Sequence, residues 1–490
     1  MDMDDQKSFM KRCSQVDAYV PIEGEVGFSN IVELALSVDS ESELQKKISE
    51  KPIEGCITRN FDGNLQYNIP VMRTSKLDTI SSPYTSGLLD KFFNGKLTPM
   101  VQTNRGCPFT CTFCVDGSDT VMKVNQFSME RVKNELNYIG QNVPKNIHAL
   151  HFSDLNFGMF PRDLEVCDVI NEVKEKYDYP TKILTTTGKN KKERIIESVK
   201  RLDGAITIGM SVQSMDEQVL KNVRRQNISV DAMLGLLPSI RESGLLTTSE
   251  VILGLPGDTY ETHLETIKKL IQAKLDVITV YTCMLLDGSE MSTTQQRKKW
   301  NFKTKFRLLP GNFSKISNGR NVFEIEEVIV ASDTLTFDEY MELRMFAFIL
   351  WSSTVGIIYD PILKFLRQNN LHVFDLFFGM LKGIDNAPLE LKTVFDSFKN
   401  KTISELWDSR EEIINHYQDE KEFQKLVNGE DAMNVIQYHN FLLRKKHMDE
   451  FTEYLFKIAY SLLDDGRMDD ELITQFNEIK NYCIGLGHNT

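Results

Sequence analysis

The sequence predicts an α/β fold, a partial (β/α)6 barrel with a short N-terminal lead-in and an α-helical C-terminal region. Three observations carry that prediction. Between residues 99 and 286, short β-branched or apolar runs alternate with longer stretches of helical spacing. After residue 337 helical periodicity dominates and strand signals are few. Before residue 98 there are only brief strand-like pieces and turn signals.

The lead-in, residues 1–98, has strand-like pieces at 16–21 and 55–58 and turns at Asp62-Gly63 and Ser82-Pro83. It reads as an extended approach to the barrel and not as a complete domain. Strands are expected at 100–103, 147–153, 182–186, 205–212, 249–253 and 277–284, and helices at 129–142, 161–177, 191–202, 230–243 and 260–273. Six strands separated by five helices form successive βαβ units, hence a parallel sheet. Right-handed crossovers let such units curl into a TIM-like partial barrel whose strand C-termini face one way, and chemistry is expected at that rim. The barrel and its extension occupy residues 99–336. Residues 337–490 form a separate helical domain, with its clearest periodicity at 337–350, 423–426 and 432–463.

With 490 residues the chain has room for about three domains. The net charge of −13 repels a phosphate backbone, so no nucleic-acid partner is expected. Basic clusters at 189–192 and 297–299 read as solvated helix ends or loops. The opening residues MDMDDQKSF carry neither a basic nor an apolar targeting region. The best apolar candidate for a membrane span, 345–358, is short and interrupted by Ser352, Ser353 and Thr354. A cytoplasmic protein without a membrane span is the expectation.

Of the eight cysteines, Cys107, Cys111 and Cys114 fall within eight consecutive residues, while Cys13, Cys56, Cys167, Cys283 and Cys483 are scattered. Such clustering argues for metal over disulfides in a reducing compartment. The segment Cys107-Pro108-Phe109-Thr110-Cys111-Thr112-Phe113-Cys114 is C-x3-C-x2-C. Thiolates select iron–sulfur clusters or zinc. A structural zinc site and a plain electron-transfer cluster both call for a fourth ligand, and no second Cys/His pair lies close in sequence; His148 and His151 are the nearest histidines. A cubane on three cysteines leaves one iron open to a substrate or cofactor.

The segment resembles the hallmark C-x3-C-x-aromatic-C of the radical SAM enzymes, and Cys107, Cys111, Phe113 and Cys114 match it without departure. The resemblance implies a radical SAM barrel, a [4Fe–4S] cluster on the three cysteines, and S-adenosylmethionine chelated to the open iron. It further implies cleavage of that cofactor to a 5′-deoxyadenosyl radical and an electron donor such as flavodoxin or ferredoxin. It extends over about residues 96–286, and more weakly to 343.

Further candidate contacts to S-adenosylmethionine come from the same resemblance. Ser153 and Asp154, after the second strand, resemble the segment that hydrogen-bonds the methionyl amine, with a polar turn as the structural alternative. Ser211 and Gln213 resemble the ribose-contacting strand; two residues apart, they would share a face of a regular strand. Arg224, or alternatively Arg225, would meet the methionyl carboxylate. Gly254 in Glu250-Val251-Ile252-Leu253-Gly254-Leu255-Pro256-Gly257-Asp258-Thr259 resembles the adenine-contacting motif, and Asp258 or Thr259 can cap the next helix, a role that suffices to explain Thr259. Cys283, sharing a face with Tyr281, reads as core filler and no catalytic residue is assigned. Substrate contacts are expected from strand-end loops, Tyr281 and residues 323–328, whose acidic residues equally suit a solvated strand face.

Residues 16–25 and 28–34, with Ser82-Pro83-Tyr84 and Gly87-Leu88-Leu89-Asp90, resemble the last strand, helix and linker of the cobalamin-binding domain that precedes the barrel in one branch of this family. About 100 further residues would be needed upstream for a complete domain of that kind. No D-x-H-x2-G segment is present either, so cobalamin is possible but not supported by this chain. The domain is expected to be lost, supplied by another polypeptide, or cut off by a misplaced start. Hydrogen abstraction from a small polar substrate, possibly sugar-linked, therefore ranks above cobalamin-dependent methyl transfer. A tRNA methylthiotransferase would want a second cysteine trio and a basic tail. A noncatalytic iron–sulfur or zinc interaction protein stands as the reading from another class. Residues 338–490 suit a substrate lid, a partner surface or stabilising mass.

Overall fold

A computed structural model describes residues 9–11, 13–21, 23–69, 74–118, 121–188, 190–206, 211–227, 247–317, 319–463 and 469–488. The chain divides into two compact units, Met1–Thr207 with Leu286–Gln296, and Ile208–Leu285 with Arg297–Thr490. Both α-helices and β-strands are present, and the C-terminal part is helical.

In the first unit, β1 (Ala18–Tyr19), β2 (Cys56–Arg59) and β3 (Leu65–Asn68) form an antiparallel sheet in that order. Between β1 and β2 lie α1 (Gly24–Leu36) and α2 (Glu41–Glu50), the latter capped by Ser40 accepting from the Glu43 N–H. Ile48, Ile53 and Cys56 make a small core, with Val20, Ile31, Leu34 and Leu44 against it. The residues expected as an extended lead-in thus contain packed structure. The helical pattern of α1 is obscured because it leaves Val26, Phe28, Val32 and Leu36 exposed, so its apolar residues do not mark one buried stripe.

The parallel part of this unit joins β4 (Met100–Val101), β7 (Ala149–Phe152) and β8 (Lys182–Leu184) in that order, and Ile206 bridges in parallel to Ile183. The short strands β5 (Asn104–Arg105) and β6 (Asn125–Gln126) pair antiparallel around the intervening loop. Helix α3 (Met129–Asn142) buries Val132, Leu136 and Ile139 at helical spacing and is capped by Ser128. It packs on α4 (Asp163–Tyr177), which packs on α5 (Lys192–Arg201). These bounds agree with the expected alternation.

In the second unit, α6 (Glu217–Asn222) follows a parallel bridge from Gln213 to Val251. Strands β9 (Thr248–Leu253) and β10 (Val277–Thr282) pair in parallel, joined by α7 (Tyr260–Gln272), whose capping box is built on Thr259 as anticipated. The helix expected at 230–243 and the middle of the strand expected at 205–212 lie outside the described residues. Strands β11 (Lys303–Lys315) and β12 (Asn321–Ala331) form a long antiparallel pair, with Met284 bridging to Val328.

The helical region runs through α8 (Phe337–Thr354), α9 (Asp360–Gln368), α10 (Val373–Lys382), α11 (Leu389–Ser404), α12 (Arg410–Gln418), α13 (Glu420–Val427), α14 (Val435–Lys446), α15 (Met448–Leu463) and α16 (Asp470–His488). Helix α8 is buried on nearly every side and packs on β10, β12, α10, α11 and α14, which explains its apolar sequence without a membrane. Among the described residues no helix is long and apolar enough to cross one.

Asp163, the first residue of α4, is fully buried; its Oδ2 accepts from the Phe160 N–H at 2.8 Å while Oδ1 has no partner among the described residues. Burial, with nearby Asp154 adding to it, pushes its carboxyl pKa up to about 6. The folded state holds this proton more tightly than the unfolded chain, so stability falls as pH rises from about 4 to about 6. Asp163→Asn is expected to be more stable than the native protein by on the order of 2–3 kcal/mol at pH 7.5, and by about half that at pH 5. Urea unfolding at the two pH values measures this; a difference that does not change with pH contradicts it.

Candidate active site around the cysteine loop

Strand β4 delivers the chain to Thr103, and the loop that follows carries Cys107 and Cys111, which are 5% and 2% exposed, and the half-buried Cys114. None of the three is in a disulfide. The Cys114 N–H donates to the Cys111 carbonyl at 3.1 Å and the Cys107 N–H to the Val121 carbonyl at 3.1 Å, so the loop is folded on itself. A 3₁₀ turn, Val115–Gly117, presses against it; a Cβ at Gly117 would sit 2.2 Å from the Cys111 carbonyl oxygen, which excludes any larger residue there.

Asp154, immediately beyond β7, anchors this loop from within. It is 1% exposed. Its Oδ1 accepts from the Thr103 N–H at 2.7 Å and its Oδ2 from the Asn104 side-chain amide at 2.9 Å and from the Thr103 hydroxyl. Burial raises its pKa, against the pull of the bonds from Thr103 and Asn104. Ser153 donates to the Val101 carbonyl at 3.3 Å. Asn156, 1% exposed, places its Nδ2 3.3 Å from Cys107 Sγ, and its Oδ1 is buried with no partner among the described residues. Phe113 is half-buried.

Beside the loop is a cavity of about 650 Å³ whose lining includes Tyr19, Glu23, Glu25, Arg105, Asp116 and Ser153. Arg105 reaches Glu25 at 2.6 Å and Gln102 at 2.8 Å across this wall.

The remaining expected contacts lie in the second unit. Ser211 donates to Glu250 Oε2 at 2.7 Å. Gln213 has φ of 65°, so the strand alternation that would set it on one face with Ser211 is interrupted at that residue; its Oε1 is buried without a partner among the described residues. Arg224 is exposed, with φ of 51°, whereas Arg225 is 5% exposed and donates to Asn227 and to the Ser211 carbonyl. Gly254 has φ of 90°, a conformation only glycine adopts readily. Cys283 is 1% exposed and burial raises its pKa, in keeping with core filler.

Residues 101–270 match the Radical SAM superfamily. That stretch is a radical SAM domain. The cobalamin-dependent radical SAM methyltransferase TokK of Streptomyces tokunonensis is 26% identical over 307 residues, which cover 61% of this chain and 43% of TokK. The 2-(S-pantetheinyl)-carbapenam-3-carboxylate methyltransferase of Streptantibioticus cattleyicolor is 28% identical over 245 residues, 48% of this chain and 36% of that protein. The solved cobalamin-dependent S-adenosylmethionine radical enzyme OxsB matches 98% of this chain and 70% of its own at 13% identity and a TM-score of 0.48. The chain spans less than half the length of the two curated relatives.

A radical SAM domain implies a [4Fe–4S] cluster and S-adenosylmethionine. The donor set fits the cluster: three soft thiols, unpaired with one another, come from one self-braced loop, and a buried amide is aimed at one of them. Among the described residues no three Cys, His, Asp or Glu side chains converge on a point as a single ion requires. The three thiolates of a cubane ligate three different irons and need no such convergence. Sequence reasoning did not single out Asn156, Thr103 or Asn104; nothing in their spacing marks them, because each acts through a partner about fifty positions away. Glu250, the partner of Ser211, was likewise unmarked.

Asp154→Ala strands the hydroxyl and amide donors of Thr103 and Asn104 in a dry site, and a stability loss of about 3 kcal/mol is expected. Denaturant unfolding of the metal-free protein measures it; a loss below about 1 kcal/mol would show that the carboxylate does not brace the loop.

Proposed function

We propose that this protein is a radical SAM enzyme that abstracts hydrogen from a small polar substrate, such as a sugar-linked metabolite, using a cluster on Cys107, Cys111 and Cys114. The observation that carries the proposal is the single braced loop offering three thiols at the end of β4, inside the matched domain. When bound, the [4Fe–4S] cluster and S-adenosylmethionine supply reductive cleavage to a 5′-deoxyadenosyl radical. The work of the chain is then to hold the cluster, orient the cofactor and exclude water.

In this reading Cys107, Cys111 and Cys114 donate the thiolates, Asp154 fixes the backbone from which they project, and Asn156 adds a hydrogen bond to the Cys107 sulfur. Phe113, Ser153, Ser211, Gln213, Arg224 and Gly254 are proposed as cofactor contacts. Arg225, which holds the Ser211 carbonyl, supports the segment behind them. The alternation of strands and helices supports a partial (β/α)6 barrel within a division into residues 1–98, 99–336 and 337–490. The reducing cytoplasm, with flavodoxin or ferredoxin as electron donor, suits cysteines that form no disulfide among the described residues.

A second reading is cobalamin-dependent methyl transfer, favoured by the likeness to TokK and the carbapenam methyltransferase. The two readings share the hydrogen abstraction and differ in what the substrate radical meets next. Saturable binding of hydroxocobalamin, followed by its visible spectrum, would support the second; its absence leaves the first.

Anaerobically reconstituted protein with dithionite is expected to release 5′-deoxyadenosine, and Cys111→Ala to abolish that release. A full cluster that never cleaves the cofactor would overturn the proposal. Asn156→Leu removes an N–H donor to a ligand sulfur, so the cluster's midpoint potential, read by redox titration under electron paramagnetic resonance, is expected to move negative. An unchanged potential would mean that the amide does not act on the cluster.

A further inference from the structure

Arg344 in the middle of α8 is 6% exposed, and its Nε is buried without a partner. Among the described residues neither a hydrogen bond nor an ion pair reaches its guanidinium. An arginine cannot shed its proton to escape burial, so a buried guanidinium whose Nε has no partner among the described residues carries a desolvation cost. Nearby Arg307 is the opposite case: it is held by Glu326 and, at 3.1 Å, by Glu405.

Arg344 lines a cavity of about 340 Å³ that lies wholly within the second unit. On α8, Arg344, Ala347 and Trp351 fall three and four residues apart and therefore share one helix face, with the small Ala347 leaving space between the other two. The opposite walls include the apolar Met284, Leu309 and Pro310. The volume is that of a small-ligand pocket, and its lining is mixed, with Thr279, Tyr281, Asn434 and Gln437 as further polar groups around Arg344.

We propose that this cavity binds a small molecule carrying one carboxylate on an apolar body, with Arg344 as the anchor. A guanidinium fork donates to a carboxylate in bidentate fashion, which would pair the buried Nε together with a neighbouring Nη. A single negative charge suits the site better than a phosphate dianion, because Glu326 and Glu405 line the same cavity and together exceed the charge of Arg307 by one. No residue of the cysteine loop lines the cavity, while Tyr281 and Glu326, expected from the sequence to contact substrate, do.

The test uses the full chain, with 3-phenylpropionate as the probe, its uncharged amide and inorganic phosphate as controls, and calorimetry and tryptophan fluorescence as readouts. Saturable binding of the acid is expected, with at least tenfold weaker binding of the amide and of phosphate. Arg344→Met is expected to weaken the acid at least tenfold while leaving the melting temperature of the unliganded protein unchanged or higher, since a buried charge is gone. Ala347→Leu, which keeps the charge and fills the space, is expected to block binding as well. Equal binding of acid and amide, an acid affinity indifferent to Arg344→Met, or no binding of the acid would each overturn the proposal.

Discussion

The carboxylate of Asp154 is buried almost completely, and a buried carboxylate is tolerated only where donors surround it. Here the donors are the backbone and hydroxyl of Thr103 and the side-chain amide of Asn104, which lead directly into the cysteine loop. The loop itself is short of regular structure: β5 and β6 contribute two residues each, and a 3₁₀ turn closes it. Its shape therefore depends on one charged group supplied by the end of β7. That is a sound way to hold metal ligands, because the bonds to Asp154 fix the strand end while the thiols remain outside the network. It also explains why a residue that resembles a cofactor contact in sequence has its oxygens engaged by the protein.

The same strand end reaches the sulfur ligands a second way. Asn156 lies two residues beyond Asp154 and sets its amide against Cys107, with its carbonyl oxygen left buried and unpaired. An amide in that position bears on the electronic properties of whatever the thiolate ligates, since hydrogen bonds to sulfur ligands are among the few levers a protein has on a cluster. The turn after β7 thus combines bracing and tuning within three residues.

Buried charge is handled differently in the second unit. Arg307 sits between two carboxylates, whereas Arg344, on the most buried helix of the C-terminal region, has no partner among the described residues. The contrast separates an arginine held by direct ion pairs from one that faces a cavity without a direct partner among the described residues. In the first unit the acid–base imbalance runs the other way: Asp163 is buried with one oxygen unpaired, and its proton is held up to about pH 6.

The sequence alone determined the alternation of strands and helices among the described residues from β4 to β10, the helix cap at Thr259, the helical character of the C-terminal region and the three-cysteine loop. These are local properties, set by hydrophobic period, cap chemistry and the spacing of thiols along a few residues. It disclosed α1 through the resemblance of residues 28–34 to a helix and not through periodicity, because that helix leaves apolar residues in the open. Nor did it separate Arg224 from Arg225: adjacent residues share one sequence context, and only the left-handed backbone at Arg224 sends one outward while its neighbour holds the Ser211 carbonyl. Tertiary structure likewise decided that Asp154 braces Thr103, that Asn156 meets Cys107, and that the Arg344 Nε is enclosed without a partner among the described residues. Each of those facts is a contact, or a missing contact, between residues far apart in the chain, and such pairings leave no periodic trace for a sequence to carry.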